Sequence, residues 1–281
     1  MKEEQMKPNN KFVNLPDEFW ANLKLVSQRL GYAEKGTGHV KVYDKDKILE
    51  LYETEKLDAH WLFNQPFCNS TIGDLILEYS TYRAEVLNSF VEKKLMKKEE
   101  AKKYFKQLKK ELKPTWETPM NKQKGLKKGE AYFTGIINML IEENMNGSEC
   151  DYNPKTLITF THNDTPYRIL SRHVDGAFPC VKDPIAIWEI KEYYNTTTFG
   201  SRVADGIYEV VLDGMELREI NSTLNRNVKN YLMVDAYQTW WLKGKSYLCR
   251  IIDLLHMGLI TEALFGKEVI ERLPMIVKDW G

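Results

Sequence analysis

Apolar positions in the first half of the chain recur every three or four residues. Phe19, Leu23, Val26 and Leu30 stripe the segment 17–30, which predicts an amphipathic helix ended by Gly31. Asp44 or Asp46 opens a second, short helix that carries Ile48, Leu49 and Tyr52. After an aromatic loop at 61–70, Ile72, Leu75, Ile76, Tyr79, Tyr82, Val86 and Phe90 predict a long helix. Beyond a break near Met96, a further stripe runs through Ala101, Phe105, Leu108 and Leu112. Pro114 stops it, and 115–129 (TWETPMNKQKGLKKG) has no apolar period and reads as a loop.

The rhythm then tightens. Tyr132, Phe133, Ile136, Ile137, Leu140 and Ile141 predict a helix over 130–144, closed by Asn146-Gly147. Short strands are expected at 156–161 and 167–174, joined by the turn Asn163-Asp164-Thr165-Pro166. The third strand, 184–194, alternates. Ile185, Ile187, Glu189 and Lys191 share one face, while Ala186, Trp188 and Ile190 point the other way. A helix follows over 198–220 with Val203, Ile207, Val210, Val211 and Met215 inward. Its Gly206 and Gly214 would each weaken an exposed helix by about 1 kcal/mol, so close packing against the sheet is expected there. A fourth strand over 229–241 and helices over 246–264 and 267–272 complete the pattern. The expected fold class is α/β of the α+β kind. Residues 1–128 form a helical region serving as a DNA-recognition or packing layer, and residues 129–281 form a core with C-terminal helices.

Length and composition agree with a chain that buries a proper core: 281 residues, 43% of them hydrophobic. The opening MKEEQMKPNNK is polar and charged, and no apolar run approaches the ~18 residues of a membrane span, so a soluble, cytoplasmic protein is expected. Cys68, Cys150, Cys180 and Cys249 have neither zinc-ligand nor disulfide-framework spacing. Net charge is zero, yet from Lys93 to Lys128 there are fourteen lysines against four acids, a local excess of +10. A polyanion would feel that asymmetry, although a lysine-rich helix taken alone reads first as a solvated face. In the loop at its end, Lys122, Gln123, Lys124, Lys127 and Lys128 suit phosphate and base-edge contacts.

The chemistry concentrates between His173 and Tyr194. Glu189 and Lys191 lie on one face of an apolar strand, about 7 Å apart along the backbone at roughly 3.3 Å per residue. Burying such charges is costly unless they are paired or used, and a bound divalent cation is one such use. Asp175, after the strand at 167–174 and before Gly176, is the natural second carboxylate. A cross-strand charge ladder with a plain Asp-Gly turn is the competing reading.

This arrangement resembles the PD-(D/E)xK nuclease superfamily, with Asp175 as the Asp, Val174 where the family name has Pro, and Glu189-Ile190-Lys191 as the Glu-x-Lys. The order helix, three strands, helix, strand from Glu130 onward resembles that superfamily's αβββαβ core, a restriction-endonuclease-like core carrying a helical N-terminal extension. The resemblance covers about residues 129–265. It implies Mg²⁺ held by Asp175, Glu189 and the Ile190 carbonyl, with Lys191 beside the attacking water, and Glu130 as a further acid on the preceding helix. It further implies cleavage of double-stranded DNA to 5′-phosphate and 3′-hydroxyl ends by a homodimer, most like a type II enzyme of a restriction-modification system. A repair, recombination or transposition nuclease would share the same residues; a non-catalytic DNA-binding module is the other alternative, against which an intact Asp175, Glu189 and Lys191 argue.

Overall fold

The computed structural model of the protein describes residues 7–67, 69–121, 125, 128–145, 147–194 and 200–280. The helical rhythm of the first half is realised as α1 (Asp17–Leu30), α2 (Lys45–Thr54), α3 (Ala59–Asn64) and α4 (Ile72–Glu85). Local chemistry sets their ends. Gly31, at φ +87°, closes α1, and the Asp44 carboxylate accepts the Asp46 N–H at the start of α2. Thr71 accepts the Asp74 N–H at the start of α4. Helical structure continues through Val86–Lys94, and the chain turns extended at Leu95 before α5 (Lys98–Leu112).

Next come α6 (Tyr132–Asn144), a hairpin of β1 (Thr159–His162) and β2 (Thr165–Ile169), and β3 (Gly176–Phe178). They are followed by β4 (Ala186–Glu192), α7 (Ser201–Thr223), β5 (Lys229–Asp235), α8 (Lys245–His256), β6 (Glu262–Phe265) and α9 (Glu268–Lys278). The main sheet runs β3-β4-β5-β6, with β3 antiparallel to β4 and the remaining pairs parallel. The fold class is mixed α and β.

One sheet face, with Trp188, Ile190, Tyr231, Met233 and Leu264, packs in a core with α6, α9 and the buried side of α5. The opposite face is shared between two cores. Ile187 packs with Leu217 and Ile220 of α7 and with Phe160 of the hairpin. Leu232, Val234, Ala263 and Phe265 pack with α8, the start of α7 and all four N-terminal helices. The N-terminal region is therefore a packing layer over α8. Arg83, wholly buried on α4, binds both oxygens of Asp253 on α8 at 3.0 Å, and Tyr79 donates to Asp253 at 2.9 Å. No helix among the described residues is long and apolar enough to cross a membrane.

Besides α3, which ends inside the expected aromatic loop, and α9, which runs on to Lys278, the structure departs from the periodicity in three places. The strands expected at 156–161 and 167–174 form a hairpin of their own, turned by Asn163 and Asp164 at φ +50° and +57°, so Asp175 precedes a separate strand instead of ending that one. The fourth strand stops at Asp235, whose carboxylate accepts the N–H groups of Met96 and Ala236, and the aromatic run after it is helical. Within the expected helix 246–264, Gly258 at φ +71° follows the end of α8, and Glu262–Phe265 pairs as β6.

Candidate active site

The site is built where β3 enters the sheet. Gly176 is paired with Trp188, and the Asp175 N–H also donates to the Trp188 carbonyl at 3.1 Å. Two residues thus face one, as in a β-bulge, which re-aims the first side chain. The Asp175 carboxylate is carried across to β4, where Oδ2 accepts the Ile190 N–H at 2.8 Å. Only glycine fits at 176, since a Cβ there would come within 2.0 Å of the Trp188 indole. Asp175 thereby lies against the Glu189-Ile190-Lys191 segment, so the structure brings together Asp175, Glu189, Ile190 and Lys191.

Glu189 and Lys191 are 2% and 6% exposed on the β4 face toward α7. Lys191 donates to Glu189 Oε2 at 2.8 Å and to Glu209 Oε2 of α7 at 2.6 Å. Arg172, in the loop between β2 and β3, donates to Glu189 Oε1 at 2.7 Å and to Asp213 Oδ2 of α7 at 2.6 Å. Ser171 ties the same loop to Glu216 of α7 through its N–H at 3.1 Å and its hydroxyl at 2.8 Å. Gly206 lets α7 close on this array, because a Cβ there would meet Tyr193 Oη at 2.8 Å and the Lys191 stem at 3.4 Å. Gly214 packs instead against Leu259, beyond the sheet.

Burial and pairing compete at each charge. Burial pushes the Glu189 carboxyl up, but Lys191 and Arg172 outweigh it and hold the group below the usual carboxylate range. For Lys191, burial favours the neutral amine, while Glu189 and Glu209 reverse this and keep the ammonium protonated. Asp213 goes the other way: burial lifts it to about 7, Arg172 only partly countering.

Arg172, Glu189, Lys191 and Glu209 open onto a cleft of about 830 Å³. Asp175, Glu189, Ile190 and Lys191 line it together with His173, and Arg202, Asp205 and Glu209 add an α7 wall. Glu192, also in the lining, accepts the Thr134 N–H and hydroxyl at 3.0 Å each, capping the start of α6. Glu130 is not among the lining residues. It precedes α6, pairs in an isolated bridge with Met120, and lies 3.9 Å from Lys109. Lys122, Gln123, Lys124 and Lys127 lie outside the described residues; Lys128 is exposed. Their loop is rooted at the cleft, for Met120 and Asn121 line it while Asn121 N–H donates to Gly129 O at 2.9 Å.

Arg172, Glu209 and Asp213 join the cluster although the motif does not announce them. A signal for Asp213 existed. The buried stripe of α7 runs through Val203, Ile207, Val210, Leu217 and Ile220, so Asp213 stands in the buried phase, while Met215, expected inside, is 59% exposed.

As donors for a hard divalent cation, the carboxylates of Asp175 and Glu189 and the Ile190 carbonyl are of the right kind. The local charge also fits: among the described residues Glu189, Glu209 and Asp213 surround Arg172 and Lys191, and Asp175 adds a further carboxylate beside Ile190. Among the described residues no group of three or more His, Cys, Asp or Glu side chains is set to hold a metal ion; the set above needs two and a carbonyl.

Fold and site together define a mixed α/β protein with a carboxylate-lysine cluster at the floor of a cleft beside its main sheet. The chain belongs to the family described as domain of unknown function DUF7687, whose model matches residues 96–280. A second domain of unknown function, DUF7690, matches residues 6–90, and the gap between the two matches contains the extended break at Leu95. No curated protein and no solved structure matches the chain.

Proposed function

We propose that this protein is a Mg²⁺-dependent nuclease of the PD-(D/E)xK kind that cuts double-stranded DNA. In the finer reading it is a sequence-specific endonuclease of restriction type, acting as a homodimer. The observation that carries the proposal is the bond from the Ile190 N–H to the Asp175 carboxylate, which sets that group beside Glu189 and Lys191 in an open cleft. Asp175, Glu189 and the Ile190 carbonyl would hold the ion. Bound there, Mg²⁺ would offset the charge of the phosphodiester and lower the pKa of the attacking water.

Lys191 has its ammonium fixed between Glu189 and Glu209, which suits it to orient that water and to meet the negative charge that develops on the phosphate. Arg202, exposed on the cleft wall, suits a phosphate contact. Cleavage would leave a 5′-phosphate and a 3′-hydroxyl.

A second reading, a non-catalytic DNA-binding module, is favoured by one observation: both Glu189 oxygens already have a cationic partner. Incubation of the protein with supercoiled plasmid and Mg²⁺ separates the two. Cutting that EDTA and Asp175→Ala both abolish supports the nuclease, with discrete fragments marking sequence choice and a smear marking a general nuclease. DNA retention without cutting, by protein that binds Mg²⁺ or not, supports the module.

A further inference from the structure

Arg172 is the one cation in this cluster of described residues for which the motif supplies no role. Its Nη1 is shared between Glu189 and Asp213, and its Nη2 lies 3.4 Å from Glu209. Lys191 occupies the other oxygen of Glu189. A divalent cation bound at Glu189 would be repelled by the two cations already on that carboxylate, so the one that is free to move is expected to withdraw.

Lys191 is poorly placed to withdraw: it is nearly buried, in mid-strand, with Gly206 of α7 against its stem. Arg172 is well placed. Its side chain is 21% exposed, it sits in a loop, and it already touches a second acceptor, Asp213. That acceptor is incomplete, because Asp213 is wholly buried and its Oδ1 has no hydrogen-bond partner among the described residues. A buried oxygen left unpaired is costly, and a guanidinium presents a fork that matches both oxygens of a carboxylate. A short swing of the Arg172 head group from Glu189 onto both oxygens of Asp213 would free one oxygen and satisfy the other.

We infer that Arg172 is a displaceable counter-ion of Glu189: it holds this carboxylate in the metal-free chain and moves onto Asp213 when a divalent cation takes its place. Arg172 and the cation therefore compete for one carboxylate, and Asp213 is the receiver that makes the exchange reversible. This rests on the nuclease reading of the site and adds to it a positioning residue that governs metal affinity.

The test is calorimetric titration of the full chain with Mn²⁺, which takes similar oxygen ligands. Arg172→Gln removes the competitor and is expected to tighten Mn²⁺ by about tenfold, equivalent to about 1.4 kcal/mol. Arg172→Lys keeps the charge and stays near the parent. Asp213→Asn weakens binding in the parent, and that effect largely disappears in the Arg172→Gln background, as a double-mutant cycle reads it. Arg172→Met gives the same comparison if the Gln variant does not fold. If Arg172→Gln binds Mn²⁺ no tighter while Glu189→Gln still abolishes binding, the exchange is wrong and the metal site stands. If the Lys and Gln variants tighten alike, the residue acts through packing and the inference falls. If neither folded parent nor folded Arg172→Gln binds Mn²⁺, the inference and the metal-site reading fall together.

Discussion

The carboxylate of Asp175 is fastened to the N–H of Ile190 at 2.8 Å, across the boundary between the first two strands of the main sheet. That contact fixes where the acidic group stands relative to Glu189 and Lys191, because Ile190 is the residue between them. Asp175→Ala removes one carboxylate from the rim of the cleft and leaves the buried cluster of Arg172, Glu189, Lys191 and Asp213 intact. It is expected to abolish Mg²⁺-dependent cleavage with little change in the unfolding midpoint. Glu189→Ala removes one acidic partner from each of two cations that keep Asp213 and Glu209, so a loss below the roughly 3–5 kcal/mol of a fully broken buried pair is expected. Glu189→Gln keeps the shape, so it is the variant in which lost cleavage reports on chemistry. Plasmid cleavage and urea denaturation of the three proteins check this; undiminished cleavage by Asp175→Ala would remove the residue from the site.

The bulge at Asp175 depends on the bare backbone beside it. In Gly176→Ala the new methyl meets the Trp188 indole, a rigid ring held in the core, and the strand has to move. The expected loss is about 1–3 kcal/mol, the range for overpacking a filled core, with a parallel loss of cleavage as Asp175 shifts off Ile190. Chemical denaturation together with a cleavage assay measures both.

A pH dependence follows from Asp213. Its carboxyl titrates near 7 in the folded chain against an ordinary value of 3.8, with Arg172 and Glu189 the charged groups facing it. The folded state therefore binds more protons than the unfolded one between those values. The stabilisation is fully present below about pH 4 and is lost as pH rises through 7. Integrated over the shift it amounts to a few kcal/mol at most. Asp213→Asn cannot titrate, so the difference in unfolding free energy between parent and variant should move in favour of the variant from pH 4 to pH 8. A difference independent of pH would mean that Asp213 stays ionised throughout.

The long helical stripes and the alternating strand were legible because each has enough residues for its period to show. α1, α5 and α6 begin and end close to where their caps and breakers fall, the helical run begun by α4 continues to Lys94, and Glu189 and Lys191 share the face that alternation assigns them. Other features had no such period. β6 is four buried residues after a helix, and a short apolar run of that length reads equally as helix or strand. The Asp175 contact depends on a bulge made by two residues, one of them glycine, and nothing in a two-residue rhythm announces it. Arg172 enters the site through side chains 17 and 41 residues away in sequence, a convergence that only the folded chain supplies.

How DNA would be held is the remaining question, and the loop between Asn121 and Gly129 bears on it. Its base is closed by the Asn121–Gly129 and Ala131–Pro119 backbone bonds, and Met120 and Asn121 at that base line the cleft. The cleft itself is rich in carboxylates, so attraction for a polyanion has to come from its rim. Lys122, Lys124, Lys127 and Lys128 follow Asn121 in the sequence of this loop. If they neutralise phosphates, counterions are released on binding, and log K falls with log[salt] at a slope of about 0.9 per contact. Replacing all four with Ala should then weaken binding to cognate and random duplexes alike and flatten the slope by up to about 3.6. Gln123 and Asn121 in the same loop could read base edges, in which case Gln123→Ala relaxes sequence choice without changing the salt dependence. Titrations at several salt concentrations on the inactive Asp175→Ala background measure both effects. An unchanged slope in the four-lysine protein would take this loop out of the interface and turn attention to the lysines of α5, whose other face packs on α6 through Ala101 and Phe105.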